Sequence, residues 1–448
     1  MTERGFHPFA VLHFLRKTIL LYLLPLLQVL FARNWAALRT ALVQGAALLT
    51  VLAAVSAAVL HAGRWRVDAQ GTLRVRWRLG VRLDRCLKAS QLAALTIERP
   101  LLYRLAGASR VVLYPAGQKR TLTLLLSAQN AQFLADRMMP RRDAVAHTPR
   151  GGEKLAFAVL GANGLSTLAL LALAIKQSRP YAPDAQTAAF AHLNRIAAWA
   201  ARWLPMGTAW LLVLGGVLFC ASLVRSAAHA AHYTVWRTES HLGSRGGFVR
   251  RYEMRLALEH LSYADRSPAT WALGCCPVFV TAGSCQPEIP LLVWREDGPF
   301  LQELLPGFVL PPKAPVDTAG RSIPAFFLPA GIPCGLCLLL TAVSRYTLPA
   351  LTVPLLVVTA MFAALLVGAY NGWRKEGIWL QNGRLTLRWQ HGFHLHDICV
   401  LCPAPALTAM QSPWAAAVHR TNLTLTFPGG VKCKVRSVKC SELPFLLF

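Results

Sequence analysis

Arg74, Arg76 and Arg78 alternate with Leu73, Val75, Trp77 and Leu79, so in an extended strand the three guanidinium groups project from one face. Arg82, Arg85 and Lys88 follow closely. A row of fixed positive charges holds anions, and beside a membrane the anions at hand are lipid headgroups, attracted by about 1 kcal/mol per basic residue near the surface. Arg74, Arg76, Arg78, Arg82 and Arg85 are therefore the candidate headgroup contacts. Exposed strands also carry arginine simply because their faces are solvated, and that reading stands beside the first. In a later stretch of similar pattern the ladder thins to Arg384 and Arg388.

Other reactive groupings point away from chemistry. His391, His394, His396, Cys399 and Cys402 are metal-ligand types at close spacing, but on a strand positions 399 and 402 face opposite ways, so burial in a sheet explains the cysteines better. Cys334 and Cys337, with Gly331 and Gly335, read as close helix packing. Gly243-Ser244-Arg245-Gly246 lacks the strand-to-helix setting of a nucleophile elbow, and no phosphate-binding glycine loop occurs. No catalytic residue, cofactor or metal is expected, and hence no enzyme.

The elements that must position the arginines are those of a membrane protein. The chain of 448 residues is 54% hydrophobic and 15% charged, and its mean hydropathy is +0.40, outside the soluble range. A formal charge of +27 fits positive-inside segments better than nucleic acid, which is not expected as a partner. Apolar runs of bilayer-crossing character fall at 18–32, 41–60, 155–175, 204–224, 325–343 and 348–370. The first has no small-residue cleavage pattern after it and reads as a retained anchor. Together they predict six transmembrane helices in three hairpins: 1–61, 154–225 and 325–370. Between Phe190 and Trp203, apolar residues at helical spacing beside Arg195 and Arg202 read either as an interfacial helix or as a continuation into the fourth span.

The polar segments carry net charges of +12 over 61–154, +1 over 225–325 and +6 over 371–448, and the first 17 residues carry +2. Both termini and all three segments are then expected on the cytoplasmic side. Eleven cysteines, odd in number and scattered, fit reduced thiols there.

A repeat runs through those segments. Gly71, Leu73, Val75, Trp77 and Gly80 recur in register as Gly383, Leu385, Leu387, Trp389 and Gly392. Turns at Pro115-Ala116-Gly117, Thr281-Ala282-Gly283 and Pro428-Gly429-Gly430 each close an apolar strand, and Ser127 is placed to cap a helix through Arg137. The spacing predicts β domains over 62–140, 226–310 and 371–448, the second the most divergent.

With Trp65-Arg66-Val67, Gly80-Val81-Arg82, the stretch from Pro100 to Gly107, Ala116-Gly117 and the early His7-Pro8, the chain resembles the bacterial pleckstrin-homology-like membrane proteins of the YdbS and YdbT type. The resemblance implies an α+β membrane protein in which each hairpin precedes a cytoplasmic, strongly bent seven-stranded sheet closed by a C-terminal helix, in the bacterial inner membrane. It implies a non-enzymatic lipid- or protein-binding scaffold in envelope maintenance or stress resistance, the alternative being a component that moves lipids or small molecules. Expected partners are membrane lipids through anionic headgroups, a membrane or cytoplasmic protein, or a second copy of the chain.

Overall fold

The computed structural model describes residues 3–16, 18–19, 35–79, 81–141, 145–160, 183–203, 206–266, 276–286, 292–294, 303–312, 316–391, 394–402 and 405–442. The strand pattern read from the sequence is present three times, each time as two meanders of three strands. The first repeat contributes β2 (Gly63–Val67), β3 (Thr72–Leu79) and β4 (Val81–Lys88), then β5 (Leu92–Pro100), β6 (Ala108–Pro115) and β7 (Leu122–Ser127). A short strand, β1 (Arg4–Gly5), joins the edge of β2, and β8 (Val145–His147) precedes the second repeat. That repeat has β9 (Thr234–Arg237), β10 (His241–Gly246), β11 (Arg250–Ala257), β12 (Leu261–Arg266), β13 (Cys276–Ala282) and β14 (Leu292–Trp294). The third has β15 (Gly377–Gln381), β16 (Arg384–His391), β17 (His394–Val400), β18 (Ala406–Met410), β19 (Arg420–Thr426) and β20 (Lys432–Lys439).

Local chemistry accounts for these elements. The turn into β3 needs a left-handed residue, which Gly71 supplies at φ +74°, and Gly383 does the same at +70° before β16. Asp68 Oδ1 accepts a hydrogen bond from the Thr72 amide at 2.8 Å and tightens the first of these turns. The Ser127 hydroxyl accepts from the Asn130 amide at 3.3 Å, so helix Ala128–Met138 starts where the sequence places its cap. Alternation then sorts each strand: Trp65, Val67, Leu73, Val75 and Leu87 turn inward onto Leu95, Leu113, Leu124 and the helix residues Ala131 and Leu134.

What sequence periodicity could not supply is which strands pair across repeats. The strands form four open sheets with orders β1-β2-β3-β4, β7-β6-β5-β11-β10-β9-β8, β14-β13-β12-β17-β16-β15 and β18-β19-β20. The expectation of three self-contained, strongly bent seven-stranded sheets is overturned. The second meanders of the first and second repeats are instead continuous with the first meanders of the second and third: β5 pairs antiparallel with β11, and β12 with β17. An edge strand presents unpaired N–H and C=O groups that must find partners, and each repeat satisfies its neighbour's.

The membrane architecture is corrected as well. Among the described residues three helices are long and apolar enough to cross a bilayer, Arg39–Ala62, Ile323–Thr347 and Leu355–Lys375, and not six. The six-helix, multi-pass inner-membrane topology is therefore not upheld. Only the third expected hairpin is seen as two such helices, Ile323–Thr347 and Pro349–Lys375, joined at Leu348. Most of the expected span 18–32 lies outside the described residues. Much of 155–175 also lies outside them, and helix Met206–Ala230 occupies the fourth expected run without being one of the three. The amphipathic stretch forms helix Pro183–Ala200, which ends in a turn over 201–203 and so does not continue into the next helix. Trp199 and Trp203 are exposed there.

Candidate functional site: an arginine face beside an apolar helix

Helix Trp35–Ala62, which contains the first of the three apolar segments, runs directly into β2. At about 3.3 Å per residue, Arg64 and Arg66 stand about 7 and 13 Å beyond the helix end. Directly opposed residues of an antiparallel pair share a face. Arg64 is opposite Arg76 and Arg66 opposite Arg74, while across β3 Arg74 faces Cys86, Arg76 faces Asp84 and Arg78 faces position 82. Arg64, Arg66, Arg74, Arg76 and Arg78 therefore lie on one side of the sheet, and Trp65, Leu73 and Val75 fill the other.

Carboxylates are few on this side. Arg76 lies 3.5 Å from Glu3 and 3.7 Å from Asp84. Among the described residues Arg66, Arg74 and Arg78 have no carboxylate partner. Like charges directly opposite one another destabilise a sheet, so the Arg64–Arg76 and Arg66–Arg74 pairs cost the isolated fold something that an anionic partner would recover.

Arg74, Arg76 and Arg78 thus stand together as the alternation requires, and Arg82 occupies the register position opposite Arg78. Arg85 separates from them: it is opposite Val75, on the other side, exposed at the β4 edge. Sequence reading missed Arg64, and took Arg66 only as part of a motif, although their alternation with Trp65 and Val67 was the available signal. In the third repeat the thinned ladder is used internally, Arg388 gripping Asp397 at 2.6 and 3.3 Å and Arg384 reaching the Leu401 carbonyl.

A second basic site forms only because the repeats are joined. A cavity of about 350 Å³ at the β5–β11 joint is lined by Arg99, Arg245, Arg251, His232, Gln132 and Glu253, among others. Glu253 is already held by the buried Arg255 at 2.5 Å. The Arg99 guanidinium donates to the Ala128 carbonyl at 3.0 Å, but its Nε is buried with no partner among the described residues. Burial, reinforced by Arg251, pulls its pKa below the usual value against the opposing pull of Glu253. These residues come from β5, β10, β11, helix Ala128–Met138 and the turn before β9, and no local pattern links them.

The cysteine and histidine set disperses. Cys399 is buried in the joint between the second and third repeats, and His396 pairs with Asp265 at 2.9 Å across β12 and β17. Burial raises the thiol pKa values of Cys399 and Cys402, and pushes Cys285 and Cys433 up to about 12. At the base of the hairpin the fully buried Glu376 accepts from Arg436 at 2.8 Å, while Arg321, ahead of helix Ile323–Thr347, donates to the carbonyls of Trp373 and Glu376.

No known family matches this chain, and neither a curated protein nor a solved structure is similar to it. The protein has a mixed α+β fold in which several β-sheets are joined to apolar helices of membrane-crossing length.

Proposed function

We propose that the protein is a membrane-associated, non-enzymatic scaffold whose first sheet lays its arginine face on anionic lipid headgroups. The observation that supports this most is the stacking of like charges: Arg64 against Arg76 and Arg66 against Arg74, immediately beyond an apolar helix. A face built only for solvation would gain from interspersed acids, whereas a leaflet of phosphate groups supplies the missing counter-charge within a Debye length of about 8 to 10 Å. The repeated double meander is the part of the resemblance to pleckstrin-homology-like membrane proteins that supports the reading. The sheets themselves supply rigid surface rather than a reacting centre.

The test uses the full chain, purified in mild detergent and mixed with phosphatidylglycerol or phosphatidylcholine, with retained lipid measured by native mass spectrometry. The triple variant Arg66→Gln, Arg74→Gln, Arg78→Gln should lose roughly 2 to 3 kcal/mol of preference for the anionic lipid at low salt, with its thermal stability not reduced, since it removes the opposed Arg66–Arg74 charges. Equal retention of both lipids by the unaltered chain would contradict the reading.

A further inference from the structure

The joints between repeats follow one rule, and that rule leaves two strands unused. In each joint the last strand of a first meander pairs with the first strand of the preceding repeat's second meander, β11 with β5 and β17 with β12. In the first repeat, among the described residues, β4 pairs only with β3. In the third, among the described residues, β18 pairs only with β19. Both edges are open among the described residues: Leu83 on β4 is 61% exposed and Met410 on β18 is 68% exposed. Along β4 runs a groove of about 580 Å³ whose far wall includes Pro115, Ala116, Arg120 and His260.

The two joints also share a register. Cross-strand Arg–acid pairs mark equivalent places in the three first meanders: Arg76 with Asp84, Arg245 with Glu253 and Arg388 with Asp397. Two residues beyond each acid stand Cys86, Arg255 and Cys399. In the joints Arg255 is opposite Leu95 and Cys399 opposite Ala264. Leu95 and Ala264 are in turn opposite Leu113 and Val280, shortly before the left-handed Gly117 and Gly283. The matching buried residue, four before Gly429 as Leu113 is before Gly117, is Leu425, whose partner on β18 is Leu407. Pro405, with no N–H to give, bounds the strip at that end.

We infer that a second copy of this chain supplies the missing neighbour, β18 of one molecule pairing antiparallel with β4 of the next and placing Leu407 opposite Cys86. The contact is heterologous, so it repeats: each molecule keeps one free β18 and one free β4, and the sheets continue as a head-to-tail array along the membrane. The partner fits because the surface it must match already exists twice within each chain. Charge agrees, since β18 carries no ionisable side chain and brings nothing to repel the basic β4.

The test takes the full chain in lipid nanodiscs too large to hold molecules apart, with Leu407→Cys and a mild oxidant, read on non-reducing gels. Cys86 is exposed and free, and opposed positions in an antiparallel pair lie within disulfide reach. Expected is a ladder of dimers, trimers and higher species that disappears when Cys86→Ser is added. Without any added cysteine, Thr408→Pro should raise at least tenfold the concentration at which mass photometry first finds oligomers. A ladder that survives Cys86→Ser, a single mass at every concentration, or a dimer indifferent to Thr408→Pro would each overturn the inference.

Discussion

Glu98 on β5 and Arg250 on β11 form an ion pair of 2.6 Å across the joint between the first and second repeats, although they are 152 positions apart in the chain. Arg110 approaches the other oxygen of Glu98 at 3.3 Å. The second joint has its own pair, Asp265 with His396. An acid from a second meander meeting a base from the following first meander recurs where the backbone pairing recurs, which marks the joints as designed interfaces rather than incidental contacts.

A double-mutant cycle with Glu98→Gln and Arg250→Gln should give a coupling of about 1 to 2 kcal/mol in the thermal unfolding of the full chain, since the pair is short and partly shielded. A coupling of a few tenths would place it with ordinary exposed ion pairs and weaken the case that the joint is rigid.

Residues 62–140 expressed alone should not behave as a well-folded monomer. Sequence alternation makes this segment look like a complete domain, but its β5 edge is covered by β11 and its β2 edge by β1, both outside the fragment. Bare edges of this kind pair with whatever is available. Light scattering should find self-association that a longer piece, 3–257, which holds every strand of that sheet, lacks; a monomeric 62–140 with a cooperative melt would show that the joint is dispensable.

The hairpin is tied to the third repeat by one buried charge. Glu376 is fully buried, and burial raises its pKa despite the opposing pull of Arg436. The native state therefore binds this proton more tightly than the unfolded chain does, and the stability this contributes is full below about pH 4.5 and lost as pH rises above it. Arg436→Ala leaves the carboxylate uncompensated and should cost about 3 to 5 kcal/mol at pH 8 but distinctly less at pH 5. Melting curves at the two pH values decide it, a pH-independent loss counting against the buried charge as the cause.

His13 makes a short hydrogen bond to Tyr103, and burial, aided by Arg16 and Arg110, lowers its pKa to about 4 from 6.5. Between those values the unfolded chain binds more protons, so the contribution to stability is full above about pH 6.5 and lost as pH falls toward 4. Histidine carbon shifts in the labelled protein should show His13 neutral at pH 5.5. A midpoint near 6.5 would mean that the N-terminal segment is not docked on Tyr103.

The physical division between what the sequence disclosed and what it withheld runs along range. Leu73, Val75 and Trp77 alternating with arginines gave the strand, the buried side and the charged side; Gly71 and Gly383 gave the turns; Ser127 gave the helix start. Each depends on neighbours within a few positions. The β5–β11 and β12–β17 joints, the cavity of Arg99, Arg245 and Arg251, and the grip of Arg436 on Glu376 depend on residues tens to hundreds of positions apart, where alternation says that a strand exists but not what it lies beside. Arg85 shows the same limit in miniature: charge and proximity placed it with Arg74, Arg76 and Arg78, and parity with Val75 puts it on the other side of the sheet. Of the apolar runs, those at 41–60, 325–343 and 348–370 lie, among the described residues, in helices long and apolar enough to cross a bilayer.

The most direct measurement is hydrogen exchange across residues 63–79 of the full chain in nanodiscs, comparing anionic with neutral lipid. If the arginine face rests on headgroups, amides of β2 and β3 exchange at least several-fold more slowly in phosphatidylglycerol discs than in phosphatidylcholine discs, and the difference collapses toward 1 M salt as the Debye length shrinks to about 3 Å. Identical exchange in the two lipids, or a difference that salt leaves untouched, would contradict it.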